Sequence, residues 1–335
     1  FSFYHNGHYV LPRDKRYILT QAGVRQYSSV GKKEHPHQNN GNKLRIDKGA
    51  GPVYYTHLVS KILCLLANKV ASLDPSGIGV EMEANKPSWY DALNGLPGLL
   101  GSSICETLEM KRLAEFLLEA INELALDDQY PVNIFEELAY FIEGLSVVLA
   151  SEKDDLSYWE KSNSLKEHYR FLILDGIEGR EKKLTVEQIK IFLKNIIEKT
   201  EKAFEKSFDE KGFLRTYFYH EVIEYERLSC EGGSLFVRPL KFKKYALPLF
   251  LEGYVHALKV EKDSQKACEL YRQVRHSGLY DKKLKMYKVN EDLSTESEEI
   301  GRTRIFPSGW LENESVWIHM EYKFMLELLR RGMAK

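Results

Sequence analysis

Several common signatures are missing from this chain. Its 335 residues hold no Walker loop, no GxGxxG and no GxSxG, which leaves nucleotide-binding and serine-hydrolase readings without their main support. Cysteine is scarce: Cys64, Cys105, Cys230 and Cys268 lie scattered, none in a CxxC pair. That argues against both a disulfide framework and a zinc site, and it favours a reducing, cytoplasmic setting. An excess of one charge is absent too. A net charge of −1 gives no electrostatic case for nucleic acid or an anionic membrane. Every apolar run falls short of a membrane span, so the expectation is a soluble chain. The sequence starts at Phe1 without Met and shows no signal-like apolar stretch. It reads as a piece excised from a longer polypeptide, which would be its first partner.

What is present is helical periodicity. Apolar residues make up 43% of the chain, enough for a substantial core. Residues 1–50 read as an irregular N-terminal segment, with short strands allowed around Tyr9-Val10-Leu11 and Tyr17-Ile18-Leu19. From about residue 54 to 73, Leu58, Ile62, Leu66, Val70 and Leu73 recur at helical spacing. Further helices are expected from Ser102 or Ser103 to about 126, and from a capping box of Asn133 and Glu136 to about 150. Others run from about 156 to 174, and onward from a second box of Thr185 and Gln188. Residues 212–219 alternate like a strand and Cys230-Glu231-Gly232-Gly233 marks a turn. Helices at 245–260 and 264–276, a long loop over 281–309 and a last helix from about Ser315 to Arg331 complete the pattern. Short links between amphipathic helices favour antiparallel neighbours. The expected fold class is mainly α with a few short strands: a helical toroid, or most of one, fits the periodicity, and a plain helical scaffold fits it equally well. Residues 51–335 would form that helical barrel.

Two stretches carry chemistry. Lys86 to Gly101 holds three glycines and two prolines together with Trp89, Tyr90 and four leucines. Such an apolar, glycine-rich loop suits backbone folded tightly inside a pocket. Asp91 sits in its middle beside aromatic rings, as in many saccharide sites, though a turn-capping Asp is the plainer reading. The second stretch runs from Gly309 to Tyr322 and holds Trp310, Glu312, Glu314, Trp317 and His319. Glu314 falls near a helix N-terminus, where the dipole favours an anion. Its plainer reading is a cap, with His319 a helix-face residue. His319 and Glu312 match no metal spacing. Arg302, Arg304 and Arg238 offer cations for a substrate or phosphate. Glu81 and Glu83 alternate onto one face and read as a solvated edge.

Together these stretches resemble the catalytic barrel of cellobiose phosphorylase and related inverting glycoside phosphorylases. That family carries a W-N-D-C-L-N-x-G loop, which Trp89-Tyr90-Asp91-Ala92-Leu93-Asn94-Gly95 resembles. It also carries E-N-G-G-x-F-x-H, with which Glu312-Asn313-Glu314-Ser315-Val316-Trp317-Ile318-His319 aligns without a gap. The resemblance implies an (α/α)6 toroid, or the later part of one, with Asp91 as general acid, Trp89 on a sugar and His319 at phosphate. The family's two glycines are here Glu314 and Ser315. A carboxylate there would repel phosphate by about 4 kcal/mol per charge pair at ~4 Å and an effective dielectric of ~20. The same carboxylate could serve as the base of an inverting hydrolase, which needs a carboxyl roughly 6.5–9.5 Å from the acid.

The expected function is therefore inverting cleavage of a glycosidic bond in a glucoside oligosaccharide, hydrolysis slightly ahead of phosphorolysis. Asp91 would be the acid and Glu314 or Glu312 the base. Trp89, Tyr90, Trp310, His319, Arg302 and Arg304 would contact substrate. No cofactor or metal is expected, except inorganic phosphate as co-substrate of a phosphorylase. A non-catalytic helical domain that binds glycan or a partner is the reading from a different class.

Overall fold

A computed structural model describes residues 1–4, 8–32, 42–85 and 91–333. Trp89 and Tyr90 lie outside these residues. Among the described residues there are eight α-helices: α1 (Leu58–Val70), α2 (Ile104–Glu123), α3 (Glu136–Ser151), α4 (Asp155–Leu172), α5 (Val186–Lys206), α6 (Leu251–Val260), α7 (Ser264–His276) and α8 (Ile318–Arg330). The strands are β1 (His8–Val10), β2 (Ile18–Thr20), β3 (Gly23–Arg25), β4 (Val30–Lys32), β5 (Val80–Glu81), β6 (Ser102–Ser103), β7 (Pro131–Phe135) and β8 (Glu181–Thr185). Four more follow: β9 (Tyr217–Glu231), β10 (Ser234–Ala246), β11 (Tyr280–Asp281) and β12 (Met286–Tyr287). The chain divides into two compact units. One comprises residues 1–12, 29–77 and 113–201, the other 13–28, 78–112 and 202–335.

In the first unit, aromatic rings fix how the helices pack. Phe141 and Tyr169 stack at 4.6 Å, joining α3 to α4, and Phe135 meets Phe3 and Tyr54 edge-on at 5.6 and 5.8 Å. A short antiparallel ribbon, β7 with β8, leads into α3 and α5. The capping box expected at Asn133 does not form. Asn133 is consumed by the ribbon, opposite Lys183, and α3 starts at Glu136 with no side-chain cap. The box at Thr185 does form: Gln188 N–H donates to Thr185 Oγ1 at 3.2 Å and Thr185 N–H to Gln188 Oε1 at 2.8 Å.

The second unit overturns the mainly-α expectation. Its centre is a six-stranded antiparallel sheet, order β3-β2-β10-β9-β6-β5, so the protein is mixed α and β and not an (α/α)6 toroid. Only the first residues and the turn of the long β9–β10 hairpin leave a mark in the sequence. Past Phe218 the strands carry charge on both faces, as in Glu224 paired with Lys241 at 3.0 Å on one and Glu221 accepting from the Tyr245 hydroxyl at 2.9 Å on the other. That removes the alternation by which a strand is read. Pro239 inside β10 adds a misleading breaker; it sits at a register shift, where a missing N–H costs no ladder bond. In this sheet-bearing unit's core lies α6, buried on nearly all sides although Glu252, His256 and Lys259 run as a polar stripe along it. Tyr254 and Leu258 of α6 share a core with Phe324 of α8 and Leu270 of α7.

Candidate functional site

All the described candidate residues belong to the second unit. Asp91 opens a short 3-10 turn, Asp91–Leu93, whose next two side chains, Ala92 and Leu93, are fully buried. Leu96, Leu99 and Ile300 join the same apolar cluster. Burial of these leucines fixes the loop and leaves the Asp91 carboxylate in solvent, 63% exposed. The loop is pressed directly onto residues 299–302. Gly95 N–H donates to the Ile300 carbonyl at 3.2 Å, and Arg302 N–H to Asn94 Oδ1 at 3.1 Å. A Cβ at Gly95 would collide with the Glu299 carbonyl oxygen, so only glycine permits this approach. The contact ends in an ion pair between Asp91 Oδ2 and Arg302 Nη2. Arg25 reinforces the same segment with a two-bond clasp on Glu299, both at 2.8 Å. That hydrogen bonding holds the Glu299 carboxyl below its ordinary value.

The later stretch is a run of tight turns. Trp310 is exposed, with Phe306 edge-on at 5.9 Å. Thr303 donates to the Glu312 carbonyl at 2.7 Å. Glu314 is mostly buried: Lys288 Nζ lies 2.7 Å from its carboxylate and its N–H donates to Asn290 Oδ1 at 2.5 Å. The backbone at Leu311 and Glu314 is left-handed, with φ of 45° and 51°. For residues with a Cβ this costs on the order of 1–2 kcal/mol each. The last helix starts at Ile318 with Trp317 as its uncapped first neighbour. Neither Glu314 nor Ser315 caps it. His319, in the first turn, lies with its ring 5.0 Å from that of Trp317. Arg304 turns to backbone, its Nε on the Glu296 carbonyl at 2.9 Å.

Asp91 and Arg302 are thus in direct contact, and two of the candidate carboxylates each hold their own cation, Arg302 for Asp91 and Lys288 for Glu314. Lys288 and Asn290 fall in the stretch that reads as a long loop and carry no periodic signal. Sequence reasoning misses a second polar group as well. Cys105, Glu252 and His256 place one ligand atom each within 4.8 Å of one another, a geometry able to hold a metal ion. Its signal is two i, i+4 pairs, Cys105 with Glu109 and Glu252 with His256.

No family model matches this chain, and no curated protein matches it. No helix among the described residues is long and apolar enough to cross a membrane.

Proposed function

We propose that this protein cleaves a glycosidic bond in an oligosaccharide with inversion, with Asp91 as the proton donor and Glu314 or Glu312 as the base. The observation that carries the reading is the locked contact between the Asp91 loop and residues 299–302, which sets that loop beside the segment leading to Glu312. Exposed Trp310 on the following turn adds a flat apolar face of the kind sugars stack on. The inverting phosphorylases that these stretches resemble have glycine where Glu314 stands, and the left-handed backbone at Glu314 is the conformation glycine favours.

Phosphorolysis is the second reading, and Lys288 favours it. A carboxylate neutralised by an ammonium at 2.7 Å no longer opposes phosphate with a full charge. The experiment is product analysis on gluco-oligosaccharides with and without inorganic phosphate. Free reducing sugar of inverted configuration supports hydrolysis; sugar 1-phosphate supports phosphorolysis. Saccharide bound but never cleaved would reject both and leave a glycan-binding domain.

A further inference from the structure

A polar cluster joins α2 to α6, and what it can bind is independent of the carbohydrate reading. Cys105 sits in the first turn of α2 and Glu109 one turn later on the same face. Glu252 and His256 hold the corresponding positions on α6. The two pairs face each other. His256 Nδ1 lies 2.8 Å from Glu109 Oε1, while its other nitrogen, Nε2, points at Glu252 Oε1 across 3.9 Å. Glu109 accepts from Lys259 at 2.8 Å and pairs with Arg112 at 2.7 Å, and Glu252 Oε2 accepts from the Tyr217 hydroxyl.

Each of these contacts has a consequence for the ring of His256. Glu109 lies against two cations, Lys259 and Arg112, as well as the ring of His256, so its carboxylate is fully engaged. An ionised Glu109 accepts the hydrogen bond that Nδ1–H donates. In the tautomer that donates through Nδ1, the ring presents an Nε2 lone pair to a carboxylate oxygen at a separation too long for a hydrogen bond. A cation between these two acceptors, beside the thiol, would satisfy both. Metal-ligating histidines are oriented in this way, their second nitrogen on a carboxylate, and ligating carboxylates are themselves hydrogen-bonded, as Glu252 is by Tyr217.

We infer that Cys105 Sγ, a Glu252 carboxylate oxygen and His256 Nε2 form a three-ligand site for a divalent zinc-like ion joining the start of α2 to α6. A thiolate, an imidazole and a carboxylate match zinc's preferences, and three protein ligands leave one position for water. Charge agrees. Cys105 and Glu252 are nearly inaccessible, 5% and 6% exposed, and buried anionic ligands need a compensating charge beside them. A dication held by one thiolate, one carboxylate and a neutral imidazole is electrically balanced. Binding displaces the thiol proton, and any proton on Glu252, to solvent. The ion would enter past His256, whose side chain is 18% exposed.

The test uses the whole chain, stripped with chelator and titrated with Co2+ as a spectroscopic probe, then with Zn2+. One equivalent should bind, produce thiolate-to-cobalt absorption in the near ultraviolet, and be displaced by Zn2+. Cys105→Ser should remove that absorption, whereas Cys230→Ser, at an exposed cysteine on β9, should leave it intact. Glu109→Gln should keep the absorption and weaken binding about 10–100-fold, the usual effect of losing an orienting partner. A wild-type titration without stoichiometric binding overturns the site, whatever the variants do. So does an absorption band that persists without Cys105.

Discussion

Arg302 donates through Nη2 to Asp91 Oδ2 although 211 positions separate the two residues in sequence. Both side chains are exposed, so the pair contributes at most about 1 kcal/mol to stability. Its use lies in position. Asp91→Asn should lower glycosidic cleavage about 10²–10⁴-fold while leaving the unfolding midpoint in place. Steady-state rates on a gluco-oligosaccharide, with a denaturation curve alongside, give both numbers. An Asn variant of full activity removes Asp91 from the chemistry.

On the proposed reading, Glu314 is the residue that separates hydrolysis from phosphorolysis. Glu314→Gly relieves about 1–2 kcal/mol of left-handed backbone strain but deprives Lys288 of its partner. The two effects oppose, so stability should change little. Hydrolysis should fall about 100-fold or more, and sugar 1-phosphate should rise when phosphate is supplied. Hydrolysis at the wild-type rate would exclude Glu314 as the base and leave Glu312 to be tried in the same assay.

Much of this is legible in the sequence, and the failures have physical causes. The helices around Leu63, Phe141, Leu193 and Phe324 show because each buries one stripe, and a stripe at helical spacing survives in a single sequence. The loop around Gly95 and Gly98 shows because so much glycine with leucine is rare on a surface. The sheet does not show. Its strands β5 and β6 are two residues each, and the distal hairpin is charged on both faces, so neither leaves an alternating pattern. Cys105 and His256 stay hidden for another reason: each looks ordinary on its own helix, and only the packing of α2 against α6 brings them together.

Gly301 should be the least replaceable residue of the late segment. Its φ is +126°, and a Cβ there would lie 2.6 Å from the Ala92 carbonyl oxygen. Gly301→Ala should cost about 2–3 kcal/mol, strain and steric conflict together. Gly212 provides the control, because its φ is +81° with nothing within 4 Å of the added carbon. Gly212→Ala should cost only the backbone share, about 1 kcal/mol. Urea midpoints for the two variants separate conformation from contact; equal losses would mean that the loop and residues 299–302 are not held as closely as described.

Asp209 contributes to the acid dependence of the second unit. Its Oδ1 accepts from the N–H groups of Lys211 and Phe213, both at 2.9 Å, and its Oδ2 accepts from Arg215 at 2.7 and 3.0 Å. Burial alone would raise this carboxyl, but the Phe213 N–H and the Arg215 guanidinium outweigh it and hold it below its ordinary value. A depressed folded-state value means that the stabilisation is complete above the unfolded value and disappears as pH falls through the folded one. Asp209→Asn should therefore destabilise the protein by about 1–3 kcal/mol at neutral pH, where charge-assisted bonds to backbone and arginine are lost. The gap between wild type and variant should close as the solution is acidified below about pH 4, the unfolded range of an aspartate. Urea unfolding at a series of pH values measures that gap, and one that stays constant into acid would show that Asp209 stabilises through shape and not through its charge.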